Sequence, residues 1–303
     1  MSAAERLRGA IHHARTENRC ITVPACHDAL SAVLIQRAGF KIAFMSGFAV
    51  SVTQVAMPDA GLISYGEMLA VGQKICEATH GKLLVIGDGD TGFGSSGNIR
   101  RTMRGYALAG FAGISIEDQV YPKRCSYAQG LAVEPRTAAI ARIRAALAAR
   151  DEMRAEGLDL VLVARSDCRH AERGGLAEAI ERCRAFAALG ADVVYAEGLA
   201  KEELQQLSQA LPPEIPRMLA QVERGEALLS AEELAQEGFS LNLLGLTLLN
   251  VAMKAMKSAL QQLAAGQHCP DGARLPFEQL YAEAGFEDHY HWEARFADCP
   301  AER

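Results

Sequence analysis

Acidic residues follow two successive apolar runs of this chain. After the first run two of them are spaced two residues apart, and after the second run two are adjacent. Asp88 and Asp90 lie in a glycine-rich segment, and Glu117 and Asp118 follow later. Alternate residues at a strand end project to the same side, so Asp88 and Asp90 can face one point. Carboxylate oxygens suit Mg2+ or Mn2+ and not zinc or copper. A lone Asp-x-Asp could simply cap a turn, but acidic residues at two adjacent strand ends predict a divalent metal site.

A second group of residues could transfer a proton or bind an anion. Cys125 directly follows Lys123 and Arg124. Two cations beside a thiol should favour the thiolate, so Cys125 is a candidate acid, base or nucleophile. Arg165 ends an otherwise apolar run, and a buried guanidinium needs a partner, which a substrate carboxylate or Glu197 would supply. The other seven cysteines have no such setting, and most are expected to be reduced core thiols.

Short β-branched runs alternate with segments of helical periodicity, which predicts a parallel sheet covered by helices. The predicted strands are Ile21–Pro24, Lys41–Met45, Leu83–Gly87, Gly113–Glu117, Leu158–Ala164, Ala191–Ala196, Arg217–Ala220 and Ser240–Leu244. The predicted helices lie near 29–38, 65–80, 97–109, 135–151, 175–189, 201–210, 231–237 and 248–264. Strand after strand ends in a charged or hydroxyl residue. A closed barrel would gather these ends at one mouth, whereas an open doubly wound sheet would spread them, so we predict an α/β fold, a (β/α)8 TIM barrel.

The chain of 303 residues is long enough for one such barrel. We expect a single domain, 1–303, with a helical C-terminal extension from about 266 to 303. The connections Ser46–Ile63 and Asp118–Glu134 are predicted to be functional loops because a barrel does not need such length. A net charge of -6, scattered basic residues and few aromatic ones argue against a nucleic-acid partner. No apolar run is long enough for a membrane span and no secretory segment is visible, so we expect a cytoplasmic protein.

Motifs along most of the chain resemble the isocitrate lyase/phosphoenolpyruvate mutase superfamily. They are, in order, Ser46-Gly47, Pro58-Asp59, Asp88-x-Asp90-x-Gly92-Phe93-Gly94, Glu117-Asp118-Gln119, Pro122-Lys123-Arg124-Cys125 and Ala164-Arg165-x-Asp167. The Lys-Arg-Cys loop is most similar to the branch of short lyases that includes 2-methylisocitrate lyase and dimethylmalate lyase, together with the oxaloacetate hydrolases. The resemblance therefore implies a barrel whose eighth helix is swapped between neighbours in a homotetramer.

The same resemblance implies a carbon–carbon lyase that uses Mg2+, with Mn2+ as the alternative, to cleave a hydroxylated di- or tricarboxylate. The products would be an oxo acid, such as pyruvate or glyoxylate, and a second carboxylate. Asp88, Asp90 and Glu117 would hold the metal, and Cys125 would donate a proton from a loop that closes over the substrate. The further residues expected in the site are the catalytic Lys123, Arg165 and Glu117 and the substrate-binding Ser46, Gly47, Asp59, Arg165 and Glu197.

The sequence departs from this branch where the substrate pocket is expected. The departures are Phe44, Phe48, Ser126-Tyr127 after the cysteine and Ala220-Gln221 near the end of the seventh strand. The alternatives are therefore hydrolysis or decarboxylation of oxaloacetate, and rearrangement or hydrolysis at a P–C bond, which Ser126 slightly favours. A third reading is a non-catalytic binder, against which the intact acidic cluster argues.

Overall fold

Eight parallel strands close into a barrel in the computed structural model, which describes residues 1–225 and 227–296. The strands are β1 Ile21–Cys26, β2 Ile42–Met45, β3 Leu84–Asp88, β4 Gly113–Glu117, β5 Val161–Ser166, β6 Val193–Ala196, β7 Arg217–Gln221 and β8 Leu241–Leu244. Each strand pairs with the next, and β8 pairs with β1 in the register Ile21 with Leu241. The predicted barrel and its eight strands are confirmed.

Helices precede, alternate with and follow the strands along the chain. They are α1 Ala3–Thr16, α2 Ala29–Arg37, α3 Gly47–Val55, α4 Tyr65–Ala78, α5 Ser96–Ala109, α6 Arg136–Ala155, α7 Leu176–Ala188, α8 Leu204–Ala210, α9 Ala231–Gln236, α10 Thr247–Ala264, α11 Phe277–Glu283 and α12 Phe286–Ala294. At the starts of α4 and α9, Ser64 with Glu67 and Ser230 with Glu233 form reciprocal capping bonds. These caps satisfy backbone N–H groups that the first turn of a helix leaves free, which is why both helices begin there.

One segment that we predicted to be a loop contains a helix. The stretch Ser46–Ile63 includes α3, which begins directly after β2. Its sequence is rich in β-branched residues, which are weak helix formers, so periodicity did not reveal it. The helix forms because Ser46 caps it, with its Oγ accepting a hydrogen bond of 3.3 Å from the Ala49 N–H, and because Ala49 and Val50 are buried.

The helix α1, which sequence analysis did not assign, lies at the N-terminal ends of the strands. Its apolar side chains Leu7 and Ile11 pack against the side chains inside the barrel. Its Arg8 donates hydrogen bonds to Asp159 and Asp192, which precede β5 and β6. The polar side chains discussed below lie at the opposite end, where the carboxyl ends of the strands meet, and we call this end the barrel mouth.

The chain divides into two compact units. The first, Met1–Leu249, contains the barrel, and the second begins at Asn250 with most of α10 and includes α11 and α12. In the second unit the rings of Tyr281 and Phe286 stack with their centroids 4.4 Å apart. No helix of the described residues combines the length and the apolar character that crossing a membrane requires. The single-domain assignment and the swap of the eighth helix stay predictions.

Candidate active site

The carboxylates of Asp88 and Asp90 lie beside the first residue of α3. The Gly47 N–H donates to Asp88 Oδ2 over 3.3 Å, and Ser115 Oγ donates to Asp88 Oδ1 over 3.2 Å. A Cβ added to Gly47 would come within 2.9 Å of Asp88 Oδ2 and 3.4 Å of Asp90 Oδ1. These distances show that oxygens of both carboxylates face the same glycine. Any side chain at residue 47 would fill the space that they face.

Glu117, at the end of β4, brings a third carboxylate to the barrel mouth. Its side chain is 1 % exposed, and within the described residues neither of its carboxylate oxygens has a hydrogen-bond partner. Arg165 Nε lies 3.4 Å from Glu117 Oε2. A buried carboxylate without hydrogen bonds is costly, because its hydration is lost and little replaces it. Glu117 is therefore a carboxylate with free capacity to bind a cation.

The ammonium group of Lys123 lies between the carboxylates of Asp59 and Asp90. We call these two carboxylates, with those of Asp88 and Glu117, the acidic cluster. Lys123 Nζ is 2.6 Å from Asp59 Oδ1 and 2.7 Å from Asp90 Oδ1, and the side chain is buried. Burial disfavours the charged lysine, but Asp90 and Asp59 outweigh it and raise its pKa well above the usual value. Lys123, in the loop after β4, thus balances the negative charge of Asp90, in the loop after β3.

In the part of the chain that the structure describes, no three His, Cys, Asp or Glu side chains are gathered as a metal-ion site.

The cluster carries more negative charge than its environment easily accommodates. Burial raises the pKa of Asp90 to about 6, with Lys123 opposing the rise and Asp88 adding to it. Burial likewise raises the pKa of Glu117 well above its usual value, and the charge of Asp167 adds to the effect. Both shifts mean that the ionised forms of these carboxylates are disfavoured by burial, and that a further cation beside them would stabilise the ionised forms.

Arg165 is paired with Asp167, two residues further along the chain. Its Nε donates to Asp167 Oδ2 and its Nη2 to Asp167 Oδ1, both over 2.9 Å. Glu197, which we predicted as a partner, lies 3.6 Å from the guanidinium. The Arg-x-Asp spacing could have revealed the pair, because alternate residues at a strand end face the same side. The two parallel bonds hold the guanidinium in one orientation at the barrel mouth.

The residues after Cys125 tie its loop to the ends of β5 and β6. Ser126 Oγ donates to Asp167 Oδ1 over 2.6 Å and accepts from Arg165 Nη2 over 2.6 Å. The Tyr127 hydroxyl donates to Glu197 Oε1 over 2.9 Å. Sequence analysis named Ser126 and Tyr127 only as departures from the family pattern and did not assign them to the site. The structure shows that both residues hold the half-buried cysteine near the barrel mouth.

The prediction that neighbouring cations favour the Cys125 thiolate is wrong. Burial raises the pKa of this thiol above its usual value. Lys123 does little to offset burial because its charge is neutralised by Asp59 and Asp90, and Arg124 donates to the Gln129 carbonyl instead. At neutral pH the cysteine therefore keeps its proton, which suits a proton donor better than a nucleophile.

Two of the expected residues have structural partners. Ser46 caps α3, as described above, and is almost fully buried. Asp118 points away from Glu117, as alternation along a strand requires. Its Oδ2 accepts hydrogen bonds from Ser166 Oγ and Arg182 Nη1 over 2.7 and 2.9 Å. Asp118 therefore fastens strand ends together and adds no unpaired oxygen to the cluster.

A (β/α)8 barrel with ionisable side chains gathered at the carboxyl ends of its strands has the architecture of a TIM-barrel enzyme. The family model described as phosphoenolpyruvate phosphomutase matches residues 10–264. The chain belongs to this family, within the isocitrate lyase/phosphoenolpyruvate mutase superfamily that the motifs predict.

Relatives with different named activities resemble the chain to a similar degree. The 2,3-dimethylmalate lyase of Eubacterium barkeri is 33% identical over 258 residues, covering 84% of each protein. The chloroplastic carboxyvinyl-carboxyphosphonate phosphorylmutase of Arabidopsis thaliana is 31% identical over 298 residues, covering 97% of this chain and 86% of the relative. Family membership alone therefore leaves the reaction open.

Solved structures match almost the whole chain. Oxaloacetate acetylhydrolase in complex with 3,3-difluorooxalacetate superposes with a TM-score of 0.88 at 31% identity, covering 97% of this chain and 96% of that one. Phosphonopyruvate hydrolase, in complex with oxalate and Mg2+, superposes with a TM-score of 0.83 at 26% identity, covering 98% and 99%.

Proposed function

We propose that the protein is a Mg2+-dependent carbon–carbon lyase that cleaves a hydroxylated di- or tricarboxylate into an oxo acid and a second carboxylate. The observation that carries the proposal is the buried Glu117 carboxylate, which has no hydrogen bond to either oxygen in the described chain and ends the strand β4 that pairs with β3, where Asp88 lies. Named lyases among the relatives support the reaction class. Mn2+ would fit the same oxygen donors.

The oxygen donors at the barrel mouth are of the kind that a divalent cation takes, although the described residues do not gather three of them around one point, so binding would have to draw the carboxylates together. Both oxygens of Glu117 are buried acceptors without a hydrogen bond among the described residues, and Asp90 Oδ1 is paired with Lys123 Nζ at 2.7 Å. The carboxylates of the cluster outnumber the two cations, Lys123 and Arg165, that contact them. Asp88, Asp90 and Glu117 would hold the ion. When bound, Mg2+ would act as a Lewis acid that stabilises negative charge on substrate oxygens.

The protein's own residues supply orientation and a proton. Arg165, held by Asp167, would bind a substrate carboxylate and lower the energy of negative charge that develops as the C–C bond breaks. As the C–C bond breaks, the substrate hydroxyl group would lose its proton to a base and its oxygen would become the carbonyl of the oxo acid. The Cys125 thiol, protonated at neutral pH, would then give its proton to the carbon that leaves as a carbanion. The ties made by Ser126 and Tyr127 would keep the loop over the site and exclude water.

The test is release of an oxo acid from a panel of hydroxylated di- and tricarboxylates in the presence of Mg2+. We expect turnover that EDTA abolishes and that Cys125→Ser reduces by about 10²- to 10⁴-fold. Cys269→Ser, in the second unit of the chain, is the matched control and should leave the rate unchanged. An unchanged rate in Cys125→Ser would show that the thiol is not the proton donor.

A second candidate is hydrolysis of oxaloacetate to acetate and oxalate. The similarity to the oxaloacetate acetylhydrolase structures favours it. Decarboxylation would yield pyruvate and CO2, and a P–C hydrolase would release phosphate. Assaying these products separately with oxaloacetate and phosphonopyruvate distinguishes each alternative from the lyase.

We also propose that the protein assembles as a homotetramer with α10 packed on a neighbouring copy. Along α10, Val251, Met256, Leu260 and Leu263 are each more than half exposed. Such a row of exposed apolar side chains is typical of an interaction surface. Light scattering should give a mass of four chains, and Leu260→Glu with Leu263→Glu should lower it.

A further inference from the structure

A cavity of about 510 Å³ opens at the amino-terminal ends of the strands, opposite the barrel mouth. We call it the amino-end cavity. It is lined by Arg19 before β1, Arg217 at the start of β7 and Ser240 before β8. Its volume falls within the range of about 300 to 1,000 Å³ that is usual for small-molecule pockets. The proposed lyase reaction takes place at the other end of the barrel and gives these residues no role.

Positive charge dominates the ionisable side chains of this cavity. Arg15, in the last turn of α1, lines it together with Arg19 and Arg217. The described lining contains one carboxylate, that of Glu237. Among the residues that the structure describes, none of the three guanidinium groups forms an ion pair. Arg15 Nη1 donates to the Pro213 carbonyl over 3.5 Å, and Arg19 is exposed. Both arginines therefore keep N–H donors for a ligand.

Arg217 is buried without a full counter-charge. Its Nη atoms donate to five backbone carbonyls, those of Ser208, Leu211, Pro212, Ile215 and Gly238. Its Nε has no acceptor within the described residues. Burial lowers the pKa of Arg217 and the charge of Arg15 adds to this effect, while Glu214 opposes it. Binding these carbonyls explains the presence of Arg217, but it does not explain why Arg15 and Arg19 bring further positive charge to the same space.

We propose that the amino-end cavity binds a small molecule that carries two linked phosphoryl groups. A guanidinium group pairs with phosphate oxygens through two parallel hydrogen bonds, so Arg15 and Arg19 can each bind one phosphoryl group. The bound anion also relieves the repulsion between Arg15 and Arg217. Inorganic pyrophosphate and a nucleoside diphosphate share this chemistry. The site lies at the opposite end of the barrel from the acidic cluster, so it does not depend on the proposed lyase reaction.

The test is titration calorimetry of the whole protein in EDTA, so that no divalent cation can hold an anion at the barrel mouth. The probes are orthophosphate, pyrophosphate and ADP. We expect pyrophosphate to bind at least about ten-fold more tightly than orthophosphate, because it pairs with a second arginine. Tighter binding of ADP than of pyrophosphate identifies a nucleotide site, and equal or weaker binding of ADP identifies a site for the phosphoryl groups alone. Absence of pyrophosphate binding overturns the proposal.

Variants locate the binding. Arg15→Gln with Arg19→Gln should weaken pyrophosphate binding by at least about ten-fold, and Arg19→Gln alone, at an exposed position that the fold should tolerate, should weaken it measurably. Arg144→Gln, exposed on α6, is the matched control and should bind as wild type does. Arg165→Lys alters the barrel mouth and should also leave the affinity for pyrophosphate unchanged. Binding that is unaltered in both cavity variants, or that is lost in Arg165→Lys, overturns the proposal.

Discussion

Lys123 is the counter-charge on which the metal-free acidic cluster depends, and Lys123→Met tests this. Methionine fills a similar space but leaves Asp59 Oδ1 and Asp90 Oδ1 without the ammonium now 2.6 and 2.7 Å away. Removing one partner of a buried ion pair costs about 3 to 5 kcal/mol, because the remaining charge stays buried. For a barrel of this size the melting temperature should fall by about 6 to 20 °C.

The loss should depend on pH and on Mg2+. Without Lys123 the pKa of Asp90 rises further above about 6, so at pH 5 the carboxyl group is protonated and the cost is small. At pH 8 the carboxyl group of Asp90 must either stay ionised without a partner or bind a proton at a pH above its pKa. The loss of unfolding free energy caused by Lys123→Met is therefore largest at pH 8. Mg2+ should restore much of the stability at pH 8, because a cation that binds only the native state stabilises it.

The assay is thermal unfolding followed by circular dichroism, in EDTA and in Mg2+, at pH 5 and pH 8. Lys41→Met is the matched control because this lysine precedes β2 and is exposed. If Lys123→Met in EDTA at pH 8 melts within about 3 °C of Lys41→Met, the ammonium does not balance the cluster and the reasoning is refuted.

Three further predictions concern single groups at the barrel mouth. Burial raises the pKa of Asp90 from 3.8 to about 6. In EDTA, the stabilisation from the protonated carboxyl group is therefore complete below about pH 4 and is lost as the pH rises through 6. Urea unfolding should show a decrease of up to about 3 kcal/mol in the free energy of unfolding across this range, and Asp90→Asn should not show it. Tyr127→Phe removes the hydrogen bond to Glu197, worth about 1.5 to 3 kcal/mol, so kcat/KM should fall about 10- to 150-fold, whereas Tyr121→Phe, exposed in the same loop, should match wild type. Arg165→Lys loses the paired donors of the guanidinium and should weaken oxalate binding by about ten-fold or more in calorimetry, and an unchanged affinity would contradict its role as the carboxylate binder.

Local patterns in the sequence were enough to predict the barrel and most of its elements. The β-branched runs and helical periodicity placed all eight strands within a few residues of where they lie. Sequence analysis did not predict the helix α3, because its stability comes from the cap at Ser46 and from burial of Ala49 and Val50, and not from the helix propensities of its residues. The motifs also placed Asp88, Asp90 and Glu117 at neighbouring strand ends, since parallel strands meet at one edge.

Tertiary structure decided how these side chains are paired and charged. Lys123 balances Asp59 and Asp90, which are far from it in sequence, and burial keeps the Cys125 thiol protonated despite its cationic neighbours. Neither result can be obtained from residue types, because the pKa of a group depends on its loss of hydration and on the charges within a few ångströms. Spacing along a chain specifies which residues share a strand end, but distances and burial depend on how the loops fold over it.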